Sequence, residues 1–438
     1  MKAADPRLRR VIGKAVASWG EQTARTRARF LDFAWGRAAL RARKADALAR
    51  LPGLLEEFER QAAARGTRVH WAQDAAEARA IVLEVARRSG ARTAVKSKSM
   101  VTEEIGLNAF LEEHGIRPVE TDLGEFIVQL RGEPPSHIVT PAMHLTREDI
   151  GRTFHERLGV PEGGSPEELT AAARAALRTG FRASDLGITG ANFLVAETGM
   201  IAITENEGNA RLVTALPRVH VALAGIEKVI ATLDELALFL PMLAVSGTGQ
   251  QLTAYNTLIG GPRAADEADG PEECHVVLLD NGRTRLLADA DARETLHCIR
   301  CGACLNACPV FRAVGGHAYG TTYQGPIGSV ITPHLRASEG FGHLPSASTL
   351  CGACNEVCPV GIDLQRQLLR GRRSRARAGG LERLLLRLWA FAAGSERRWR
   401  AALALARWLP LRPRASRRDL PQVAPESFRT WWRKRERP

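Results

Sequence analysis

Seven of the eight cysteines in this 438-residue chain lie in two short runs within its last third. The first run, CIRCGACLNACPV, places three cysteines at intervals of three residues, a fourth four residues later, and a proline directly behind it. Three thiolates at that spacing can hold one face of an iron–sulfur cluster, and in two-cluster ferredoxins the fourth cysteine serves the other cluster. A tetrahedral zinc site needs two CxxC pairs but has no use for the third cysteine or the Cys-Pro step. The spacing therefore predicts two iron–sulfur clusters.

The second run, LCGACNEVCPV, repeats the pattern with one cysteine fewer. If the last cysteine of each run serves the other cluster, the ligands are Cys298, Cys301, Cys304 and Cys358 for cluster 1, and Cys308, Cys351 and Cys354 for cluster 2. The position that lacks a cysteine, three residues before Cys351, is Ser348. Cluster 1 is expected to be [4Fe–4S]. Cluster 2 is expected to be [3Fe–4S], or [4Fe–4S] with a fourth iron that takes an oxygen, water or partner ligand, Ser348 being one candidate.

The eighth cysteine, Cys274, can in principle reach over to cluster 2. Its strand-like surroundings, HVVLLD after the cysteine, instead favour a buried and inert thiol.

The elements that must position these residues change in type along the chain. Residues 1–66 are rich in Ala, Arg and Leu and predict helices, whereas residues 67–292 predict an α/β domain with a largely parallel sheet. Within that domain a helix is expected from its Asp74 cap to Arg88. The expected strands are VHWA (69–72), TAVK (93–96), RPVETD (117–122), HIVT (137–140), NFLVAETGMIAIT (192–204), VHVALAG (219–225) and HVVLLD (275–280).

The cysteines occupy a third segment, residues 293–375, and a basic segment, residues 376–438, follows it. An amphipathic helix is expected over 381–409, and the Pro- and Arg-rich end, 410–438, is expected to be poorly ordered. From Arg366 onward the chain has 20 Arg and one Lys against five acidic residues, while the whole chain carries a formal charge of +13. Such a segment can dock on an acidic partner or an anionic membrane surface, or can simply be solvated. No base-reading motif accompanies it, so nucleic acid is not expected.

The composition, 45% hydrophobic and 25% charged, is that of a globular protein. The sequence has no apolar window long enough to span a membrane and no apolar stretch of a secretory signal near its start. Because the cysteines are clustered, they do not suggest a disulfide framework. We therefore expect a cytoplasmic protein, with peripheral contact at the inner face of the membrane as an option for the basic segment.

Four stretches together resemble the lactate-utilisation protein B family. They are HCIRCGACLNACPVFRAVGGHAYGTTYQGPIGSVITP (297–333), TLCGACNEVCPV (349–360), AVKSKSMVTEEIGLN (94–108) and GITGANFLVAETGMIAITENEGNARL (187–212). The resemblance implies a LUD domain with a NagB/RpiA/CoA-transferase-like sheet, followed by an α-helical ferredoxin-like domain and a helical tail. It also implies the same seven cysteine ligands, with the same gap at Ser348.

The resemblance further implies an electron-transfer subunit in the oxidation of L-lactate to pyruvate. The implied partners are a cysteine-rich CCG-domain protein and a smaller LUD-domain protein. One alternative is the same electron-transfer role for glycolate, glycerol-3-phosphate or a disulfide reductase. The other is a CoA-transferase-like LUD enzyme that is regulated by its clusters.

Two sets of polar residues in the LUD segment are candidates for chemistry. Lys96, Ser97, Lys98 and Ser99 follow a strand and open a helix, and such a loop can bind an anion; the alternative is a solvated loop. A second set, Glu197, Glu205 and Glu207, offers a CoA-transferase-like nucleophile, although a structural hydrogen-bonding role is favoured.

Cofactor motifs other than the cysteines are missing from the sequence. It has neither GxGxxG nor GxxxxGK[ST] in the required context. No catalytic residue is assigned, and the carbon chemistry of a two-electron oxidation is expected on a partner or at a shared interface.

Overall fold

The fold is taken from a computed structural model, which describes residues 5–30, 32–336, 340–376, 380–406, 424 and 426–435. The chain divides into two compact units, Met1–Arg372 and Arg373–Pro438. The sequence predicts separate segments at residues 67–292 and 293–375. Both lie almost entirely within the first unit. Residues 410–423, expected to be poorly ordered, lie outside the described residues.

Three helices form the N-terminal segment, with bounds α1 (Pro6–Arg27), α2 (Phe33–Ala49) and α3 (Leu51–Ala64). The Asp5 side chain accepts hydrogen bonds from the first turn of α1, and Asp32 does the same for α2. Ile12 and Val16 of α1 are buried and pack against the cysteine segment. The first helix of the chain therefore belongs to the core that surrounds the cysteines.

In the described part of the chain, ten strands form two sheets. Their bounds are β1 (Thr67–Ala72), β2 (Thr93–Lys96), β3 (Arg117–Glu120), β4 (Leu186–Gly190), β5 (Phe193–Val195), β6 (Met200–Glu205), β7 (Val219–Gly225), β8 (Val229–Ile230), β9 (Tyr255–Ile259) and β10 (Glu273–Leu279). Six of them form the parallel sheet β1-β10-β7-β4-β2-β3, and the others form the mixed sheet β8-β5-β6-β9. The predicted largely parallel sheet is confirmed.

Helices cover both faces of the parallel sheet. Their bounds are α4 (Ala75–Arg88), α5 (Met100–Glu104), α6 (Leu107–Glu113), α7 (Leu123–Arg131), α8 (Arg147–Leu158), α9 (Pro166–Ala183), α10 (Asn209–Ala215), α11 (Leu236–Gly247) and α12 (Arg283–Ala288). Along β7, Val221 and Leu223 pack under α4–α6, while Ala222 and Ala224 pack on the opposite face against α3. The strand is buried on both sides, which accounts for its uninterrupted apolar run.

Two of the strand expectations need correction. HIVT (137–140) is a loop, because the His137 ring nitrogen accepts the backbone N–H groups of Val139 and Thr140 at 3.0 and 3.1 Å. NFLVAETGMIAIT (192–204) contains two strands, β5 and β6, joined by a turn in which Gly199 has φ +66°. A Cβ at Gly199 would lie 2.2 Å from the Ala62 nitrogen of α3, so only glycine fits this turn.

The cysteine segment consists of short helices, with bounds α13 (Ala303–Ala307), α14 (Pro309–Val314), α15 (Gly325–Leu335), α16 (Ala353–Val357) and α17 (Leu364–Ala376). It packs closely on the LUD loop before Pro141. A Cβ at Gly316 would lie 1.7 Å from the Ser136 carbonyl oxygen, and Gln324 donates to the Pro135 carbonyl at 3.1 Å. No linker separates the two segments.

The second unit contains α18 (Leu381–Ala393), α19 (Glu396–Ala406) and α20 (Phe428–Arg435). The helix expected over 381–409 is broken, because α18 ends at the C-cap Gly394. The expectation of poor order for 410–438 was wrong for residues 428–435, which form α20. Among the described residues, no helix has both the length and the apolar character needed to cross a membrane.

A buried ion-pair network joins the LUD sheet to the first cysteine run. Glu227, directly after β7, accepts from Arg283 at 2.6 Å and from Arg300 at 3.1 Å. Arg283 also forms a two-pronged ion pair with Glu104, which accepts from the Tyr323 hydroxyl at 2.7 Å. The pKa of Glu227 is lowered to about 2, since Arg283 and Arg300 outweigh the desolvation that raises it.

We predict that Glu227→Gln destabilises the first unit by about 3–5 kcal/mol, because it removes the negative charge that pairs with two buried guanidinium groups, of which Arg283 keeps its pair with Glu104. The measurement is urea unfolding followed by circular dichroism. The matched control is Asp46→Asn, which removes the charge from an exposed pair with Arg50 and should leave the unfolding free energy within error. An unchanged midpoint for Glu227→Gln would contradict the structural role of the network.

Candidate functional site

The two cysteine runs share one backbone conformation. Arg300 and Leu350, each just before the second cysteine position of its run, have φ of 62° and 56°, unusual for residues with side chains. The glycines that follow those cysteines, Gly302 and Gly352, have φ of 78° and 84°. Short helices, α13 and α16, come next and pack against each other. The sequence repeat is therefore a structural repeat.

Ser348 occupies in the second run the place that Cys298 occupies in the first. The Arg300 backbone N–H donates to the Cys298 sulfur at 3.4 Å, and the Leu350 backbone N–H donates to the Ser348 hydroxyl oxygen at 3.1 Å. The position without a cysteine keeps its local fold.

The seven thiols fall into two neighbourhoods, and each takes cysteines from both runs. Burial raises the pKa of Cys304, and the neighbouring charges of Cys298, Cys301 and Cys358 raise it further. Cys301, Cys304 and Cys358 are buried in one core, and Cys298 packs against that core.

The second neighbourhood brings the remaining three thiols together. Burial raises the pKa of Cys354 to about 11, with further contributions from Cys308 and Cys351. A small cavity is lined by Cys308, Cys351 and Cys354 and also by Ser348. Cys351 differs from its companions because it is exposed, and hydrogen bonds from Ala353 N–H and Thr349 lower its pKa.

The surroundings of these thiols fit iron–sulfur clusters. Backbone N–H groups point at the sulfurs, as where Ile362 donates to Cys358 at 3.4 Å. The buried Tyr319 hydroxyl lacks an oxygen or nitrogen partner among the described residues and lies beside Cys308, whose charge adds to burial in raising the tyrosine pKa. A cluster held there would give this hydroxyl a sulfur acceptor. Seven thiols in a set of three and a set of four match cluster ligation better than zinc.

Cys274 lies outside both neighbourhoods. It is buried in β10, between β1 and β7 of the parallel sheet, and desolvation raises its pKa to about 12. A thiol in this environment stays protonated and inert.

The candidate anion loop after β2 contains two lysines in different environments. Lys96 is fully buried, and its Nζ lies 2.7 Å from Glu120 and 3.3 Å from Glu103. Ser97 is bound through its N–H to the Ile188 carbonyl at 2.9 Å, and Ser99 caps α5. Lys98 donates to the Val139 carbonyl and lines a cavity, whereas Lys96 does not line it. Anion binding by the loop stays a prediction, and only Lys98 of the two lysines is placed to take part.

The three glutamates of the LUD segment accept backbone hydrogen bonds. Glu197 accepts from Leu233, Glu207 accepts from Leu123, both at 2.9 Å, and Glu205 accepts the first N–H groups of α10. Desolvation and the charge of Asp122 raise the pKa of Glu207 to about 7. These contacts are those of structural carboxylates, although Glu197 and Glu207 are exposed.

A cavity of about 350 Å³ in the first unit lies at the carboxyl ends of β2, β4 and β7. Its lining includes Lys98, Asp122, Glu205 and Glu207, and also Lys228, Arg300 and Cys301. The LUD domain and the first cysteine run thus enclose one space. Sequence reasoning missed Lys228, for which the only signal is its place just after the buried strand VHVALAG.

Comparisons with known proteins agree with this architecture. The LUD domain family model matches residues 55–279, and the 4Fe-4S dicluster domain model matches residues 294–362. A solved structure, a duf162 family protein from Deinococcus radiodurans, covers 52% of this chain and 98% of its own at 13% identity, with a TM-score of 0.30. That likeness is too low to bear on the fold.

Curated relatives match nearly the whole chain. "Uncharacterized electron transport protein YkgF" of Escherichia coli (strain K12) is 42% identical over 97% of this chain and 94% of its own. "Lactate utilization protein B" of Bacillus pumilus is 43% identical over 89% and 86%, and that of Bacillus licheniformis is 48% identical over 73% and 67%. The chain therefore belongs to the lactate utilization protein B family and combines a LUD domain with a 4Fe-4S dicluster domain.

Proposed function

We propose that this protein is the iron–sulfur electron-transfer subunit of a complex that oxidises L-lactate to pyruvate. The observation that carries the proposal is the small cavity in which Cys308 of the first run lies together with Cys351 and Cys354 of the second. Relatives named for electron transport and for lactate utilization support the role.

The ligand sets follow from the two neighbourhoods. Cys298, Cys301, Cys304 and Cys358 would hold cluster 1, and Cys308, Cys351 and Cys354 would hold cluster 2. Iron–sulfur clusters supply one-electron transfer when bound, so two of them match the two electrons that leave a 2-hydroxy acid when it is oxidised. Backbone N–H groups directed at the sulfurs, together with the Tyr319 hydroxyl at Cys308, favour the reduced, more negative state of each centre.

The proposal includes partner subunits, a CCG-domain protein and a smaller LUD-domain protein. Cys351, a proposed ligand of cluster 2, is exposed, which supports electron exchange between cluster 2 and a partner. In the second unit, exposed apolar side chains such as Leu385, Trp389 and Phe428 stand among arginines. That arrangement supports docking of the tail on a partner or on an anionic membrane surface.

The function is tested by anaerobic purification of the protein with its two proposed partners. L-lactate should reduce the clusters in the complex, measured as bleaching of the iron–sulfur absorbance and as a new electron paramagnetic resonance (EPR) signal. The protein without its partners is the control. Glycolate and glycerol-3-phosphate are the competing substrates, and reduction by either one but not by lactate would contradict the proposed substrate.

The proposed ligand sets require that the last cysteine of each run binds the cluster of the other run. We therefore predict that Cys308→Ser and Cys354→Ser have the same EPR spectrum. Cys358→Ser and Cys301→Ser should likewise have the same spectrum. Each pair removes a thiolate from the same cluster, although its members lie in different runs. Iron content should fall to that of one cluster in all four variants.

The matched control is Cys274→Ser, which should keep the iron content and the spectrum of the unaltered protein. If the Cys308→Ser spectrum instead matched that of Cys301→Ser, each run would hold its own cluster and the assignment would fail.

A third prediction concerns the position without a cysteine. Ser348→Cys places a thiol where Cys298 stands in the first run, so cluster 2 should become a [4Fe–4S] cluster with four thiolates. We expect any EPR signal of an oxidised [3Fe–4S] cluster to disappear and the total iron to stay equal or rise. Ser346→Cys, two residues away in an exposed position, is the control and should change neither. A lower iron content in Ser348→Cys would contradict the placement of Ser348 at the fourth ligand position of cluster 2.

A further inference from the structure

The cavity between the LUD sheet and the first cysteine run lies at the switch point of the parallel sheet. The chain leaves β2 toward its outer neighbour β3, whereas it leaves β4 toward β7 on the other side. In open α/β sheets, the crevice at the carboxyl ends of two such strands is where ligands bind. Here the crevice is lined by Ser97–Ser99 after β2 and by Asn192 after β4.

Lys228 is the residue that points to a ligand. Its side chain is buried, with 7% of the residue exposed, and it lines the cavity. Within the described part of the chain, its ammonium group has no hydrogen-bond or ion-pair partner. The other buried lysines are satisfied, since Lys44 donates to the Glu227 carbonyl and Lys96 pairs with Glu120. Because the Lys228 side chain is buried while its ammonium group faces the cavity, an anion bound there would pair with it.

The charges around the cavity restrict the kind of anion. Lys228 and Arg300 lie together at the end that carries Cys301. Asp122, Glu205 and Glu207 lie together at the other end, with Lys98 near them. Three carboxylates disfavour a polyphosphate, while they accept hydrogen bonds from hydroxyl groups. The lining therefore suits a ligand with a single negative charge and a hydroxyl group.

We propose that this cavity binds a small organic monocarboxylate of the hydroxy acid class, with its carboxylate on Lys228 and next to the Cys301 side of the cysteine run. This inference deepens the proposed function, because it places substrate binding in this chain rather than on a partner alone. It rests on the proposed function only for the choice of L-lactate as the first probe.

The inference is tested by calorimetric titration of the cluster-loaded full chain, without partners, with L-lactate. Acetate and inorganic phosphate are the comparison probes. L-lactate should bind, acetate should bind more weakly because it lacks the hydroxyl, and phosphate should not compete. In Lys228→Met the affinity for L-lactate should fall at least tenfold, while the melting temperature of the ligand-free protein stays equal or rises, because an unpaired buried charge has been removed.

The matched control is Lys14→Met, an exposed lysine of α1 outside the cavity, which should bind L-lactate like the unaltered protein. If Lys228→Met fails to load clusters, Lys228→Gln, which keeps the polarity and removes the charge, replaces it. Equal lactate affinity in the loaded Lys228 variant, or preferential binding of phosphate, would overturn the inference.

The outcome separates this inference from the proposed function. A cluster-loaded protein that binds no carboxylate overturns the inference and leaves electron transfer intact. A protein that binds L-lactate but holds no iron overturns the proposed function and leaves the binding site intact.

Discussion

The carboxylate of Glu227 is shared by Arg283 from the LUD domain and Arg300 from the first cysteine run. Both guanidinium groups and the carboxylate are buried, so none of the three can leave without exposing an unpaired charge to a medium that solvates it poorly. Arg300 is also one of the few residues with a side chain whose φ is positive, a conformation kept only where the surroundings enforce it. The network therefore fixes the loop that carries Cys298 and Cys301 relative to the sheet.

That constraint explains why the LUD domain and the cysteine segment behave as one body. Gly316 touches the Ser136 carbonyl so closely that no side chain fits between them. The cavity at the sheet's switch point is closed by the same cysteine run that the network holds. Arg300 thus has two roles, because it pairs with Glu227 and also lines the cavity. A change in the position of the sheet would therefore also move the loop that carries Cys298 and Cys301.

The sequence was sufficient wherever one local signal determined the structure. Cysteine spacing predicted the iron–sulfur segment, which the 4Fe-4S dicluster domain model matches, and continuous apolar runs predicted β7 and β10. It was insufficient where particular side-chain or backbone contacts decide the structure. HIVT looks like a strand, yet His137 binds the backbone of its own loop. The strand LGITG was not predicted, because Gly187 weakens its pattern and is required by contact with the Val213 carbonyl. Lys228 became informative only when the fold left it without a partner.

The position of α1 has a consequence for how the chain is made. Ile12 and Val16 pack in the same core as Phe311 of α14, about three hundred residues later in the sequence, and Arg9 donates to the Ala313 carbonyl at 3.3 Å. During synthesis the first helix leaves the ribosome long before the surface that covers it exists. The apolar face of α1 therefore stays exposed, or is bound by a chaperone, until the cysteine segment has been synthesised. Docking of α1 on the cysteine segment is therefore a late step in folding.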